Sequence, residues 1–314
     1  MPAIVSASRR TDLPGWHADW LAQRLARFRR PPDALFLWTK HPARLVERSL
    51  LRTVAASLPN VFVHLTITGL GGTPLEPRAP GWEEAADAVP EMVRVLGGDG
   101  RRVLWRFDPV LPAVSSRDTF ARLATRLGRA GVRRCIVSFL SSLSLKGSLL
   151  PQYARFGLAP SPLGEKVEWA ARLAEIAAAE GIEVRLCCQP KVVEGVGGAV
   201  APASCIDAEL ASALHPRGIL VPGGRDASQR RHCRCAPSMD LGDYAAHPCR
   251  TGCAYCYSKA GGPDVPGGGG EISPGRRASR GNARAGRRPP PRAPAASLAG
   301  RRAAASGPGT LPSS

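Results

Sequence analysis

Residues 103–140 read VLWRFDPVLPAVSSRDTFARLATRLGRAGVRRCIVSFL, and this stretch decides the fold. Val103 to Phe107 is an unbroken apolar run apart from Arg106, which predicts a strand buried on both faces. Ser116 then stands where a helix N-cap is needed, the spacing predicts a helix over 117–130, and Gly131 stops it. Cys135 to Leu140 is a second apolar run. Strand, helix and strand in so short a span make a βαβ unit, whose strands must be parallel.

The same alternation extends both ways. Residues 3–8, 34–38, 61–68 and 182–188 read as strands. Helical spacing occupies about 16–28, 42–58, 82–96 and 161–180, with Pro90 expected to kink the third of these. A longer loop is expected after 140, a glycine-rich turn at 195–198 and a turn of helix at 206–214. Six strands at these intervals predict an α/β parallel-sheet barrel of TIM type, full or incomplete, with further strands hidden in 190–221. A doubly wound open sheet is the alternative. No G-x-G-x-x-G follows a strand and no G-x4-G-K-[ST] occurs, which leaves nucleotide-phosphate folds without support.

Three regions follow: a barrel-like domain over 1–225, a cysteine-rich segment over 226–258, and a tail over 259–314. The tail is dominated by Gly, Pro, Arg, Ala and Ser, so disorder is expected. It carries nine arginines and Lys259 against Asp264 and Glu271, a net +8 of the chain's +18. The charge supports a nucleic-acid partner only weakly. No run reaches the length of a membrane span, no secretory leader is read, and a cytoplasmic protein without membrane contact is expected.

Five of the nine cysteines lie between Cys233 and Cys256. Cys249, Cys253 and Cys256 have the spacing C-x3-C-x2-C, with Tyr255 before the third. Such a loop puts three thiolates on three irons of a [4Fe-4S] cubane and leaves the fourth iron open. Zinc is the other metal considered, with Cys233, Cys235, Cys253 and Cys256 as its tetrahedron and Cys249 spare. The third cysteine is redundant for zinc and needed for a cubane, which favours iron and sulfide. Cys233 and Cys235 then complete this centre or hold a second metal.

Function in parallel α/β folds sits at the carboxyl ends of the strands. Uncommon polar residues fall there: Arg9, Arg10 and Asp12 after strand one, Lys40 after strand two, Arg106 and Asp108 on strand four, and Ser138 on strand five. Arg9, Asp12, Lys40, Arg106 and Asp108 are the candidates for catalysis, and Arg10, Ser138 and Tyr255 for cofactor contact. His64, alone on an apolar strand, reads as a core residue. Cys187 and Cys188 end strand six, and strand alternation would send them to opposite faces, so one at most would serve a common site.

The strings Ser6-Ala-Ser-Arg-Arg-Thr-Asp-Leu-Pro14, Trp38-Thr-Lys40, Leu65-Thr-Ile-Thr-Gly69, Trp105-Arg-Phe-Asp-Pro109 and Cys205-Ile-Asp207, with the terminal cysteines, resemble the bacterial domain-of-unknown-function family 1848 over about residues 3–258. That family's terminal cysteines are similar to the cluster loop of radical S-adenosylmethionine domains. The resemblance therefore implies an iron–sulfur site at Cys249, Cys253 and Cys256 on a barrel-like body. This chain departs from the pattern in the spacer Ala245-Ala-His-Pro248 and in its long tail. The Cys-x-Tyr-Cys-Tyr string also resembles spore photoproduct lyases, which act on DNA.

Three functions compete on these readings. The first is a radical enzyme that binds S-adenosylmethionine at a [4Fe-4S] cluster, takes electrons from a donor, and acts on an anionic or nucleic-acid substrate. The second is a non-catalytic zinc or iron–sulfur protein that binds nucleic acid. The third, hydrolysis by Asp12, Asp108 and His64, leaves the cysteines unexplained.

Overall fold

The computed structural model describes residues 3–47, 49–140, 150–243 and 245–256. The expected tail, the end of the cysteine-rich segment at 257–258 and most of the long loop after 140 lie outside the described residues. The described residues form one compact unit. No helix among the described residues is long and apolar enough to cross a membrane.

Eight parallel strands form one sheet. They are β1 (Ile4–Ala7), β2 (Ala34–Thr39), β3 (Val61–Thr66), β4 (Val103–Val110), β5 (Arg134–Phe139), β6 (Glu183–Leu186), β7 (Ala201–Pro202) and β8 (Met239–Asp240). Their spatial order is β7-β6-β5-β4-β3-β2-β1-β8. Sequential parallel strands joined by helices are the TIM-type arrangement, here incomplete, since β7 and β8 end the sheet without pairing to each other. The βαβ reading of 103–140 holds. Ser116 Oγ accepts from Thr119 N at 3.1 Å and starts α7 (Arg117–Arg129). Phe120 of that helix stacks on Trp105 of β4 with centroids 4.7 Å apart.

Alternation along the strands sorts two cores. Val5, Leu35, Leu37, Val63, Trp105, Phe107 and Val137 point outward to the helices. Ile4, Phe36, Phe62, Leu104 and Ile136 point to the concave face. There α11 (Ala208–Ala213) fills the space with Ala208 and Ala211. It is tied down at the amino ends of the strands: Asn60 Nδ2 donates to Ala211 O at 2.8 Å, and Arg102 Nη2 donates to Leu214 O. A plug takes the place of barrel closure.

Four local readings change. The helix over 42–58 is two, α3 (Pro42–Glu47) and α4 (Leu50–Ser57), divided at Ser49, which adopts the left-handed region at φ 57°. The helix over 82–96 divides at Pro90 as expected, into α5 (Trp82–Asp87) and α6 (Val89–Val95). The loop after 140 contains α8 (Leu150–Arg155), and α9 (Leu163–Ala179) follows. The turn at 195–198 begins inside a helix, α10 (Pro190–Val196). A Cβ on Gly195 would lie 2.6 Å from Val167 Cγ2, so glycine there serves close packing of α10 on α9. Segment 226–256, read as a separate region, supplies β8 and packs on the sheet: Ala236 N donates to Ile206 O at 2.9 Å and Leu241 N to Ser6 O at 2.7 Å.

Candidate functional site

On the concave face, the residue two positions beyond each apolar plug is polar or aromatic: Ser6, Trp38, His64, Arg106 and Ser138. They form a linked layer. Trp38 Nε1 donates to Ser6 Oγ at 3.1 Å, and the Trp38 ring stacks on His64 with centroids 4.0 Å apart. Arg106 lies over the other part of this layer, its guanidinium carbon 4.9 Å from the Trp38 ring. Arg106 Nη2 donates to Asp108, which also accepts from Ser138 Oγ. His64 is fully buried and pairs with Cys205 O at 2.6 Å. Burial, reinforced by Arg106, pulls its pKa down to about 3. The imidazole is thus held neutral against Trp38, and its Nδ1 has no hydrogen-bond partner among the described residues.

The cysteine loop reaches the same end of the sheet from β8. Asp240 closes the seam to β1 by accepting from Ser8 Oγ at 3.2 Å and Arg9 N at 3.1 Å, with Arg10 Nε at 3.4 Å. The spacer Ala245–Pro248 lies on the first two helices, α1 (Leu13–Trp16) and α2 (Ala18–Ala26). His247 packs on Trp20 at 3.9 Å, and His247 O accepts from Thr11 Oγ1 at 2.7 Å. Thr251 accepts from Trp16 Nε1 at 3.0 Å and meets His41 Nε2 at 3.0 Å. Ala254 N donates to Leu75 O at 2.9 Å. The loop therefore sits on the carboxyl ends of β1, β2 and β3.

Glu76 is the hub beneath it. This carboxylate is buried and accepts from Lys40 Nζ at 3.0 Å, from Thr68 Oγ1 and from Tyr255 OH. Burial pulls the Lys40 pKa down, but Glu76 and then Cys253 more than offset it, and the net shift is upward. Tyr255 is pushed well up by burial and then by Glu76. Lys40 Nζ lies 5.7 Å from the Tyr255 ring centre. Cys253 is buried, while Cys249 and Cys256 are half-buried. Burial raises the Cys253 thiol; Lys40 opposes that rise, and Cys256 and Cys249 add to it. The three thiols thus lie within electrostatic reach of one another. Among the described residues, no three His, Cys, Asp or Glu side chains are already drawn in around one ion position.

Cys233 and Cys235 stand elsewhere, with Cys187, Cys188 and Cys205 beyond β6 and β7. The two zinc pairs envisaged from the sequence therefore belong to different thiol groups. Cys187 Sγ lies 3.9 Å from Cys188 Sγ and 3.8 Å from Cys205 Sγ. The expectation that Cys187 and Cys188 diverge is corrected: Cys188 has φ 55°, so strand alternation has ended and both thiols turn the same way. Hydrogen bonds from Cys187 and then Cys235 hold Cys205 well below the ordinary thiol range.

The other predicted residues divide by partner. Asp12 is spent on architecture: it accepts from Gly15 N at 2.8 Å to start α1, and from Thr39 Oγ1 at 3.1 Å and Lys40 N at 2.8 Å. Lys40 and Arg106 are both paired with carboxylates. Arg9 is half-buried and has no ion pair among the described residues. Sequence reasoning missed Glu76, an acid in a Gly/Pro loop with no periodicity to place it, and the grouping of Cys187, Cys188 and Cys205. A cleft of 270 Å³ beside the loop is lined by His41, Arg44, Arg78 and Glu84, with no cysteine.

No curated protein matches the chain. Among solved structures, D-hydantoinase from Bacillus sp. AR9 is 11% identical, with a TM-score of 0.34, and covers 63% of this chain. Dihydropyrimidinase from Brevibacillus agri NCHU1002 is 10% identical, with a TM-score of 0.35, and also covers 63%. The chain spans 44% of the length of each. Likeness this slight carries no argument about activity. The family model described as domain of unknown function (DUF1848) matches residues 4–258, a span that takes in every described strand and all nine cysteines, and the chain belongs to that family.

Proposed function

We propose that this protein is a radical enzyme that holds a [4Fe-4S] cluster on Cys249, Cys253 and Cys256 and binds S-adenosylmethionine at its open iron. The observation that supports this reading is the seat of the C-x3-C-x2-C loop on the carboxyl ends of β1–β3, beside the Lys40–Glu76–Tyr255 hub. The donor set fits in kind: three thiols on one short loop suit iron, and Lys40 opposes the rise that burial gives the Cys253 thiol. When bound, such a cluster with its cofactor supplies reductive cleavage of a sulfonium, using electrons from a separate donor.

The chain's own residues do the positioning. Tyr255 and Ala254 pin the loop to Glu76 and Leu75, and Asp12 fixes the backbone from which Lys40 projects. The stacked Trp38 and His64 seal the floor against water. Arg9, half-buried and without an ion pair among the described residues, is a cation that could meet an anionic substrate, nucleic acid included. Nine cysteines, all as free thiols, suit a cytoplasmic setting.

The test is anaerobic reconstitution of the full chain with iron and sulfide, then EPR of the reduced protein with and without S-adenosylmethionine, and assay for 5′-deoxyadenosine. A cubane signal that shifts with the cofactor, with product formed, supports the reading. Product is expected to persist in Cys235→Ala and vanish in Cys253→Ala. A cluster indifferent to the cofactor, or zinc in its place, ends it.

A further inference from the structure

Where β6 gives way to α10, Cys187 holds two other sulfurs in contact. Its Sγ lies 3.9 Å from Cys188 Sγ and 3.8 Å from Cys205 Sγ. Cys187 and Cys205 are buried, and Cys188 is half-buried. Cys188 stands beside its neighbour because its backbone adopts φ 55°, a left-handed conformation that a residue with a Cβ rarely takes. Outliers of this kind gather at functional positions, and a core that needed only small apolar filling would let the strand continue. Each buried sulfur also meets a guanidinium. Arg106, whose Nη2 is committed to Asp108, turns Nη1 to Cys205 Sγ at 3.2 Å, and Arg230 Nη2 lies 3.8 Å from Cys187 Sγ. A neighbouring cation favours a thiolate, the form that attacks a disulfide.

We propose that Cys187 and Cys205 form a reversible disulfide, with Cys188 as the thiol through which a low-molecular-weight disulfide such as oxidised glutathione enters. Their 3.8 Å separation closes to a disulfide of about 2.0 Å if each sulfur moves roughly 0.9 Å. Cys188 thiolate attacks the small disulfide, whose S–S bond breaks and releases one small thiol. Cys187 then attacks the Cys188 sulfur and releases the other. A bond between adjacent residues closes a small strained ring, and strain makes it labile. Cys205 attacks the Cys187 sulfur, and Cys188 departs as a thiolate. In sum the small disulfide is reduced to two thiols, the thiols of Cys187 and Cys205 are oxidised to one disulfide, and their protons pass to the small thiols. A thiol as far inside as Cys205 is thereby oxidised without the oxidant entering the core. Cys205 O pairs with His64 Nε2 at 2.6 Å, so the new bond is anchored to the floor of the concave face. Disulfides in a reducing compartment are usually of this transient kind.

The experiment treats the full chain, reduced and then freed of reductant, with oxidised glutathione in the absence of oxygen. Remaining thiols are blocked with iodoacetamide and tryptic peptides are mapped by mass spectrometry. Cys187 and Cys188 lie in peptide 186–191, and Cys205 is the cysteine of peptide 192–217. The two peptides should appear joined, with fragmentation placing the bond on Cys187, and dithiothreitol should separate them. In Cys188→Ser the same link should form on the order of tenfold more slowly, since the oxidant must then reach a buried thiol. Peptides that stay unlinked, Cys205 joined to Cys235 in place of Cys187, or a Cys188→Ser variant that forms the link at the parent rate would overturn the proposal. None of these outcomes depends on a cluster or on S-adenosylmethionine.

Discussion

Glu76→Gln tests the hub most directly. The Glu76 side chain is 2% exposed and that of Lys40 14%, so the pair counts as buried. Breaking a buried pair by removing one partner costs about 3–5 kcal/mol, because the remaining charge is left without compensation. Glutamine still accepts from Thr68 and Tyr255, so most of that cost comes from Lys40. Removing both charges with Lys40→Met/Glu76→Gln should recover most of the loss, since an apolar replacement of a buried pair is often neutral. The assay is urea unfolding of the reduced, metal-free protein at pH 7, comparing midpoints at constant slope. A further signature is the alkaline limb. The folded Lys40 pKa lies above its unfolded value of 10.5, so its contribution is full below that value and fades as pH rises through the folded one. The double variant should lack this fade. A double variant as unstable as Glu76→Gln alone would refute the reasoning, because the cost would then not reside in an unpaired lysine.

His64, with its pKa held near 3 by burial, stays neutral in the fold while the unfolded chain takes up a proton below about 6.5. Its contribution is full above that value and is lost as pH falls; between pH 7 and pH 5 it should cost about 2 kcal/mol. His64→Phe, compared with the parent by urea unfolding at the two pH values, should remove that slope. Asp12→Ala removes the acceptor of Gly15 N, Thr39 Oγ1 and Lys40 N, and should cost at least about 1.5–3 kcal/mol in the same assay. Gly71→Ala would place a Cβ 1.7 Å from Pro80 O, displacing the loop that carries Glu76. Destabilisation of at least roughly 1–3 kcal/mol is expected from the thermal midpoint.

The sheet was legible because its six longer strands carry enough β-branched and aromatic residues to show against the helical spacing. β7 and β8 were not: two-residue strands have no period to read, and Pro202 stands in one of them, tolerated at a sheet edge. Lys40, Arg106, Asp108 and Ser138 were found because strand polarity brings carboxyl ends together. Glu76, the partner of Lys40, was not, since it comes from an irregular loop, and Asp12 read as a catalytic acid because only the three donors that fold around it set it apart. The thiols show the limit most clearly. The spacing of Cys249, Cys253 and Cys256 is local and visible, whereas the approach of Cys187, Cys188 and Cys205 depends on β7 and on a left-handed residue at Cys188.

The contact between Thr11 and the cysteine loop joins residues 236 apart in the chain. During synthesis at about 5–20 residues per second, the carboxyl ends of β1–β3 wait roughly 12–47 s for the loop that completes them. Through that interval β1 offers a bare edge where β8 will pair, and Glu76 and Lys40 have no Tyr255 above them. The last of the described strands to emerge is therefore also the fastener, and a nascent chain that stalls before it is a barrel wall left open along β1.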